Sequence, residues 1–160
     1  MYSSDKVRKG VLPLWQYWYR KTNKRPNIIN KIIYRAIKFI WHIEIPYSVN
    51  IGRGLYVGHP FGITINPNAS IGENCNIHKG VTIGQENRGK RKGAPTIGNC
   101  VWIGINSTIV GNIKIGDDVL IAPNTFVNID IPSHSIVFGN PCIVKHKDNA
   151  TDGYINNRVY

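Results

Sequence analysis

A repeat of six residues predicts that this chain folds as a parallel β-solenoid, a coil built from short stacked strands. Neither an α-helix nor a single strand has a period of six, so the repeating unit must be larger than either. Short strands joined by sharp corners, three to each turn, give a triangular coil whose turns share one hydrophobic core. The aliphatic positions that we expect to point inward are Ile45, Ile51, Val57, Ile65, Ile71, Ile77, Ile83, Ile97, Ile103, Ile109, Ile115, Ile121 and Val127.

Small residues form the second part of the pattern. The residue after an inward position is usually Gly or another small residue, and we expect Gly or Asn to occupy the corners at a positive backbone φ angle. The fourth residue after an inward position is compact or aliphatic, which suits a side chain that completes the core. These compact residues are Val49, Ala69, Cys75, Val81, Val101, Ser107, Val119 and Thr125.

The length of 160 residues predicts one domain with a small appendage. We divide the chain into an N-terminal appendage (1–42), a solenoid (43–131, with a loop at 84–96) and a C-terminal segment (132–160). The net charge of +11 is concentrated in the appendage, which holds ten Lys/Arg and one Asp. No stretch is apolar enough to span a membrane, and no signal peptide is recognisable. The three cysteines are odd in number and lack ligand spacing, which favours a reducing cytoplasm and no metal site.

The appendage combines an aromatic segment (11–19) with an amphipathic helix predicted from Ile28 to Trp41, capped by Asn27. Two interpretations of its apolar stripe remain open. The stripe covers the open end of the solenoid, or the basic helix lies against anionic lipid. Both hold if the aromatic segment touches lipid while the later helix covers the coil. Nucleic acid is not an expected partner, because no binding motif is present. The stripe consists of Ile28, Ile29, Ile32, Ile33, Ala36, Ile37, Ile40 and Trp41.

The first break in the repeat carries a histidine. Val57 and Ile65 are eight residues apart rather than six, so a loop projects at a corner. His59 lies in this loop, and a loop on a rigid repeat can hold a functional group without disturbing the core. Acylation of a hydroxyl by a thioester needs a base that works near neutral pH, which imidazole provides. His59 is therefore the first candidate catalytic residue.

The repeat and this loop resemble the hexapeptide acyltransferases, in particular the serine acetyltransferase branch and its relatives that O-acetylate sugars. The resemblance covers about residues 43 to 145. It implies a left-handed parallel β-helix, acetyl-CoA as co-substrate and a homotrimer. It also implies that His59 is the catalytic base and that Glu44 stands where an Asp orients the base in the serine enzymes. The alternative for Glu44 is a solvated carboxylate at the mouth of the solenoid.

His78 and the loop at 84–96 are the next candidates. Counting in sixes places His78 one full turn after the corner of His59, where it would bind the acceptor, share the proton transfer or serve as a corner residue bonded to backbone. The loop is basic and rich in Gly. In the family an arm here reaches toward the substrates, often from a neighbouring subunit. Its cations would meet phosphates of CoA or of a nucleotide- or lipid-linked sugar, or the loop is simply solvated. These cations are Arg88, Lys90, Arg91 and Lys92.

The resemblance further implies a groove for acetyl-CoA between adjacent solenoids. Its expected contacts are Gly104, Ile105, Ala122 and Pro123, with Lys145 beside the phosphates of CoA. We expect His134 to be a turn residue and the polar tail after Asp148 to fray.

Three positions argue against free serine as the acceptor. The serine enzymes carry an Arg-His pair where this chain has Gly93 and Ala94, and an Asp where it has Gly58. A site built for a zwitterion loses affinity without its charged partners. The sequence therefore predicts an acetyl-CoA-dependent O-acetyltransferase that acts on a sugar or polysaccharide precursor. The alternatives are a serine O-acetyltransferase and a non-catalytic scaffold at a membrane.

Overall fold

The computed structural model describes residues 13–156 and 158–159. Two helices, α1 (Leu14–Lys24) and α2 (Ile28–Trp41), precede fifteen short strands. The strands form three sheets, and every strand pair is parallel except the last one in chain order, which confirms the predicted parallel β-solenoid. Sheet A contains β1 (Ile43–Glu44), β4 (Ile63–Ile65), β7 (Thr82–Gly84), β10 (Thr108–Val110) and β13 (Phe126–Val127). Sheet B contains β2 (Asn50–Ile51), β5 (Ser70–Ile71), β8 (Thr96–Ile97) and β11 (Lys114–Ile115). Sheet C contains β3 (Tyr56–Gly58), β6 (Asn76–His78), β9 (Trp102–Ile103), β12 (Val119–Ile121), β14 (Ser135–Phe138) and β15 (Ile143–His146).

The predicted inward positions stack in register from turn to turn. In sheet C, Val57 pairs with Ile77, Ile77 with Ile103 and Ile103 with Ile121. Every predicted inward position is buried except Val57, which is partly exposed. Cys75 is fully buried, as expected of a core residue. The inward side chains of each turn therefore pack against those of the next turn, and this stacking forms the continuous core.

The glycines that follow inward positions have a different role from the one predicted. Gly72 does not have a positive φ angle, and the same is true of the other glycines at this position in the repeat. Instead, a Cβ atom on Gly72 would lie 2.5 Å from the carbonyl oxygen of Gly98 in the next turn. The positive φ angles belong to residues such as Asn74, Asn106 and Asn124, which confirms the prediction for Asn. Close approach between turns, rather than a left-handed corner, requires glycine after the inward residue.

Helix α1 covers the open end of the coil. The Gln16 side chain donates to the Leu55 carbonyl at 3.0 Å, and the Tyr19 hydroxyl donates to the Val49 carbonyl at 2.7 Å. The Arg20 guanidinium donates to the carbonyls of Ile51 and Gly52 at 2.5 and 2.6 Å. These carbonyls belong to the first turn, which has no preceding turn to pair with. Helix α1 thus closes the first turn of the coil.

Helix α2 has the predicted bounds and the predicted cap, since the Asn30 amide donates to the Asn27 side chain at 2.9 Å. The interpretation that the apolar stripe covers the coil holds for one edge of the stripe, where Ile33, Ile37 and Trp41 pack against the core. Tyr34 and Ile37 face the coil and are buried, and the Tyr34 hydroxyl donates to the Ile45 carbonyl at 2.8 Å. The outer part of the stripe is exposed, and it comprises Ile28, Ile29, Ile32, Ala36 and Ile40. No described helix has the length and apolar character needed to cross a membrane.

The C-terminal segment after β15 is ordered against the coil rather than frayed. Ala150 and Thr151 are buried, and the backbone amides of both donate to the Asp118 carboxylate at 2.9 Å. Further along, the Val159 amide donates to the Asn74 side chain at 2.8 Å. The prediction of a fraying tail is therefore wrong for the described residues, because polar residues at the corners of the coil supply partners for its backbone.

Candidate active site

His59 is the first residue after β3, at the corner where the chain passes from sheet C to sheet A. We call the stacked turns at this edge, residues 59–62, 79–81, 104–107 and 122–125, the C–A corner. The His59 backbone has a φ angle of 54°, and its ring is exposed. The loop is held on both sides, because the Gly62 amide donates to the His42 carbonyl and the Gly80 amide to the Phe61 carbonyl, each at 3.0 Å. The predicted projecting loop thus presents an accessible imidazole from a fixed backbone.

His78 lies one turn further, as the count of hexads predicts. Its Cα pairs with that of Gly58, and its ring stacks against Trp102 with 4.8 Å between centroids. Tyr56 flanks the other side at 6.3 Å. The Nε2 atom of His78 is buried without a hydrogen-bond partner among the described residues. Burial, and secondarily the charge of His59, lowers the pKa of His78, so this ring is held neutral beside the exposed one.

Gly58 makes room for the His78 ring. A Cβ atom at position 58 would lie 2.6 Å from Nδ1 of His78, and any side chain there would displace the ring. The resemblance implies that the serine enzymes carry an Asp at the position of Gly58. In this chain, the side chain of an Asp at position 58 would overlap the observed ring of His78, which explains why the position is a glycine.

Glu44 lies on β1, the sheet A strand beside β4, and its Cα pairs with that of Thr64. Its side chain is exposed and lines a pocket of about 370 Å³. In the described part of the chain, no hydrogen bond or ion pair joins Glu44 to His59. The pocket also contains two cations from the last turns of α2, Arg35 and Lys38.

The amphipathic pattern of the helix does not predict that Arg35 and Lys38 line this pocket. A signal for it exists, since α2 runs almost directly into the strand that carries Glu44.

The loop at 84–96 lies on a different corner, between sheets A and B. It folds back on itself, because the backbones of Glu86 and Gly93 exchange two hydrogen bonds of 3.0 Å. Arg91 is not a free cation: its Nε lies 3.0 Å from Glu86 Oε1, and its carbonyl accepts from the Asn112 amide. Arg88 and Lys90 are exposed. Within one chain the structure does not bring these candidates to His59.

The residues implied for acetyl-CoA lie in two places. The backbone sites at Gly104, Ile105, Ala122 and Pro123 occupy the C–A corner, in the turns that follow His59 and His78. The turns touch closely there, since a Cβ atom on Gly104 would lie 2.6 Å from the Pro123 nitrogen. Lys145 lies on β15 in sheet C, with Nζ 5.7 Å from the centroid of the Phe138 ring. The backbone sites implied for acetyl-CoA therefore follow His59 along the same edge of the coil, and Lys145 lies on the adjacent sheet C.

In the described part of the chain, no three His, Cys, Asp or Glu side chains are grouped as a metal site requires. His134 adopts the expected turn conformation with a φ angle of 58°, and its Nδ1 lies 2.9 Å from the Asp118 carboxylate.

Comparisons with known proteins define the class. Residues 94–128 match the family model described as bacterial transferase hexapeptide (six repeats). A serine acetyltransferase of Helicobacter pylori is 36% identical over 125 residues, which are 78% of this chain and 73% of that protein. A serine acetyltransferase of Staphylococcus aureus is 31% identical over 146 residues, which are 90% of this chain and 68% of that protein.

Among solved structures, soybean serine acetyltransferase matches with a TM-score of 0.73 and 29% identity. The match covers 82% of this chain and 56% of the soybean chain, so this chain spans little more than half the length of that relative. The coil and its corner loop thus define a hexapeptide-repeat protein of the transferase class. The chain belongs to the hexapeptide-repeat acyltransferase family, and these relatives are named serine acetyltransferases.

Proposed function

We propose that this protein transfers the acetyl group of acetyl-CoA to a hydroxyl, with His59 as general base. One observation carries the proposal: His59 is the exposed imidazole at the head of the C–A corner, and the following turns of that corner hold the backbone sites implied for CoA. A base in this position meets both reactants only if the thioester lies along the same edge.

The transfer proceeds directly. His59 takes the proton of the acceptor hydroxyl as its oxygen attacks the thioester carbon, which forms a tetrahedral intermediate. Backbone amides of the corner stabilise the negative oxygen of this intermediate. The carbon–sulfur bond then breaks, and the imidazolium returns the proton to the thiolate of CoA. Glu44, which lines the pocket on the sheet A side of this loop, would favour the imidazolium through its negative charge once an acceptor narrows the site.

Free serine is the acceptor that the comparisons favour. The relatives that cover most of the chain are named serine acetyltransferases, including one with 36% identity. Acetylation of a serine hydroxyl requires a base that removes its proton and a thioester bound nearby. The C–A corner contains the candidate base His59 and the backbone sites implied for CoA.

A sugar hydroxyl is the second candidate, and specific positions favour it. The His78 ring occupies the space that the side chain of an Asp at position 58 would need. Gly93 and Ala94 offer no charged side chain for an amino acid. The pocket beside Glu44 carries Arg35 and Lys38, which suit the phosphate or carboxylate of an activated or acidic sugar.

Release of free CoA thiol, measured with serine and with a panel of free, acidic and nucleotide-linked sugars, decides between the candidates. Rapid release with serine alone supports the serine enzyme, and release with a sugar alone supports the second candidate. Release with neither, under conditions where acetyl-CoA binds, would contradict an O-acetyltransferase acting on these classes and favour a scaffold.

A further inference from the structure

Helix α2 carries an exposed apolar face that the rest of the described chain leaves uncovered. Ile28, Ile29, Ile32 and Ile40 are 69%, 64%, 61% and 67% exposed, and Phe39 is 80% exposed. Isolated exposed apolar residues are common on soluble proteins, but five large ones on a single helix form a contiguous patch.

The patch cannot turn inward without unfolding the contacts of the opposite face. That face is fixed by Tyr34 and Ile37, which are buried against the coil, and by the Tyr34 hydroxyl bond to the Ile45 carbonyl. The buried Asn30 side chain also donates to the Arg25 carbonyl at 2.8 Å, which ties α2 to the end of α1. The exposed face is therefore a permanent feature of the folded chain.

The charged residues of α1, α2 and the link between them are all positive, and the nearest carboxylate in sequence is Glu44 on β1. Residues 13–42 hold seven Lys/Arg and no Asp or Glu. Lys31 and Arg35 lie on α2 beside the patch and are exposed, and neither is in an ion pair with a described carboxylate. An apolar helix face with a basic border complements an anionic interface, where the apolar residues enter the acyl boundary and the cations meet headgroups.

Docking of a second copy through the same face is disfavoured by these charges. A two-fold contact would bring two segments with no acidic residue against each other, and like charges at an interface cost free energy. We propose that the outward face of α2 binds the surface of a membrane that contains anionic lipid.

This placement has a consequence for the pocket beside Glu44. Arg35, Lys38 and Phe39 belong to the same helix and line that pocket. A membrane bound to the outward face of α2 would therefore lie next to the pocket. An acceptor at the lipid surface would then be within reach of the pocket. The docking proposal itself does not depend on the acceptor or on catalysis.

Co-sedimentation of the full chain with vesicles tests the proposal. We expect binding to phosphatidylcholine vesicles that contain phosphatidylglycerol and little binding to phosphatidylcholine alone, with the binding weakened by added salt. The double variant Ile29→Gln/Ile32→Gln keeps good helix formers but removes two inserted side chains, so its affinity should fall about tenfold or more. The matched control is Ile129→Gln/Ile143→Gln, which changes two exposed isoleucines of the coil and should bind like the wild type.

Unfolding midpoints of all three proteins show that differences in binding are not differences in folding. Equal binding by the α2 double variant and the wild type would overturn the proposal, as would failure of the wild type to bind anionic vesicles. The face is a protein interface instead if the wild type does not bind vesicles and light scattering shows a smaller oligomer for the α2 double variant than for the wild type and the control variant.

Discussion

At the scale of single residues, two histidines on adjacent turns differ because of their surroundings. His59 is exposed, whereas His78 is partly buried between Tyr56 and Trp102, and its Nε2 has no described partner. Burial lowers the pKa of His78, and so does the neighbouring charge of His59. The exposed ring of His59 is accessible to an acceptor, whereas the surroundings of His78 disfavour the charged form of its ring.

The lowered pKa of His78 predicts an acid-sensitive contribution to stability. At high pH the ring is neutral in both the folded and the unfolded chain. As pH falls below 6.5, the ordinary value, the unfolded chain takes up a proton before the folded chain does, so the free energy of unfolding decreases. Urea unfolding of the wild type and His78→Gln at pH values above and below 6.5 measures this effect. The variant should lose less stability on acidification, and equal losses in the two proteins would contradict the assigned environment.

At the scale of elements, helix α1 solves the problem of the first turn of the coil. The carbonyls of Val49, Ile51, Gly52 and Leu55 face no earlier turn, and side chains from a single helix satisfy all four. Arg20 is buried and supplies two of these bonds, both assisted by its positive charge.

Removal of the Arg20 guanidinium should therefore destabilise the fold. Arg20→Ala leaves the carbonyls of Ile51 and Gly52 without their donors, and we expect a loss of about 2–4 kcal/mol in the free energy of unfolding. Arg25→Ala is the matched control, because its side chain is exposed at the end of the same helix, and it should change stability by less than about 0.5 kcal/mol. Chemical denaturation measures both. Equal, small effects would show that the helix does not hold the end of the coil.

The sequence predicts the coil far better than the placement of the helices. The period of six determines the inward positions, the stacking of His78 under Gly58 and the projecting loop of His59, because each follows from counting along one regular repeat. It does not show that α1 is a helix that closes the coil, since its contacts run through the polar groups of Gln16 and Arg20. Nor does the apolar stripe of α2 reveal whether its partner lies within the same chain, because amphipathicity fixes a face and not what covers it.

The close contacts within the candidate site could also not be predicted from the sequence. The requirement for Gly58 arises from the ring of His78 in the next turn, and the cations of the pocket come from a separate helix. Both depend on how elements meet in space rather than on spacing along the chain.

At the scale of the whole molecule, the candidate site is divided between corners of the coil. His59 lies on the C–A corner, whereas Arg88 and Lys90 lie on the loop between sheets A and B. A site that uses both needs the loop of a neighbouring subunit, as in the proposed homotrimer.

Mixed oligomers test this arrangement. His59→Asn and the double variant Arg88→Ala/Lys90→Ala should each have little activity alone if both groups serve the same site. When the two are co-expressed in equal amounts, about a quarter of the sites in a cyclic trimer combine an intact histidine with an intact loop from the neighbour. Recovery of CoA release in purified mixed oligomers confirms the shared site, with light scattering to count the subunits. Additive activity without recovery would place each site within one chain.

The most direct measurement is the turnover of acetyl-CoA by His59→Asn, with whichever acceptor supports release in the wild type. Asn tolerates the φ angle of 54° at this position, so the backbone of the loop should be kept. Loss of the base should lower kcat by roughly 10²–10⁴-fold while acetyl-CoA still binds. His134→Asn is the matched control, an exposed histidine with a φ angle of 58° in a turn between sheets B and C, and it should retain activity. Turnover by His59→Asn at the rate of the wild type would contradict the assignment of the catalytic base.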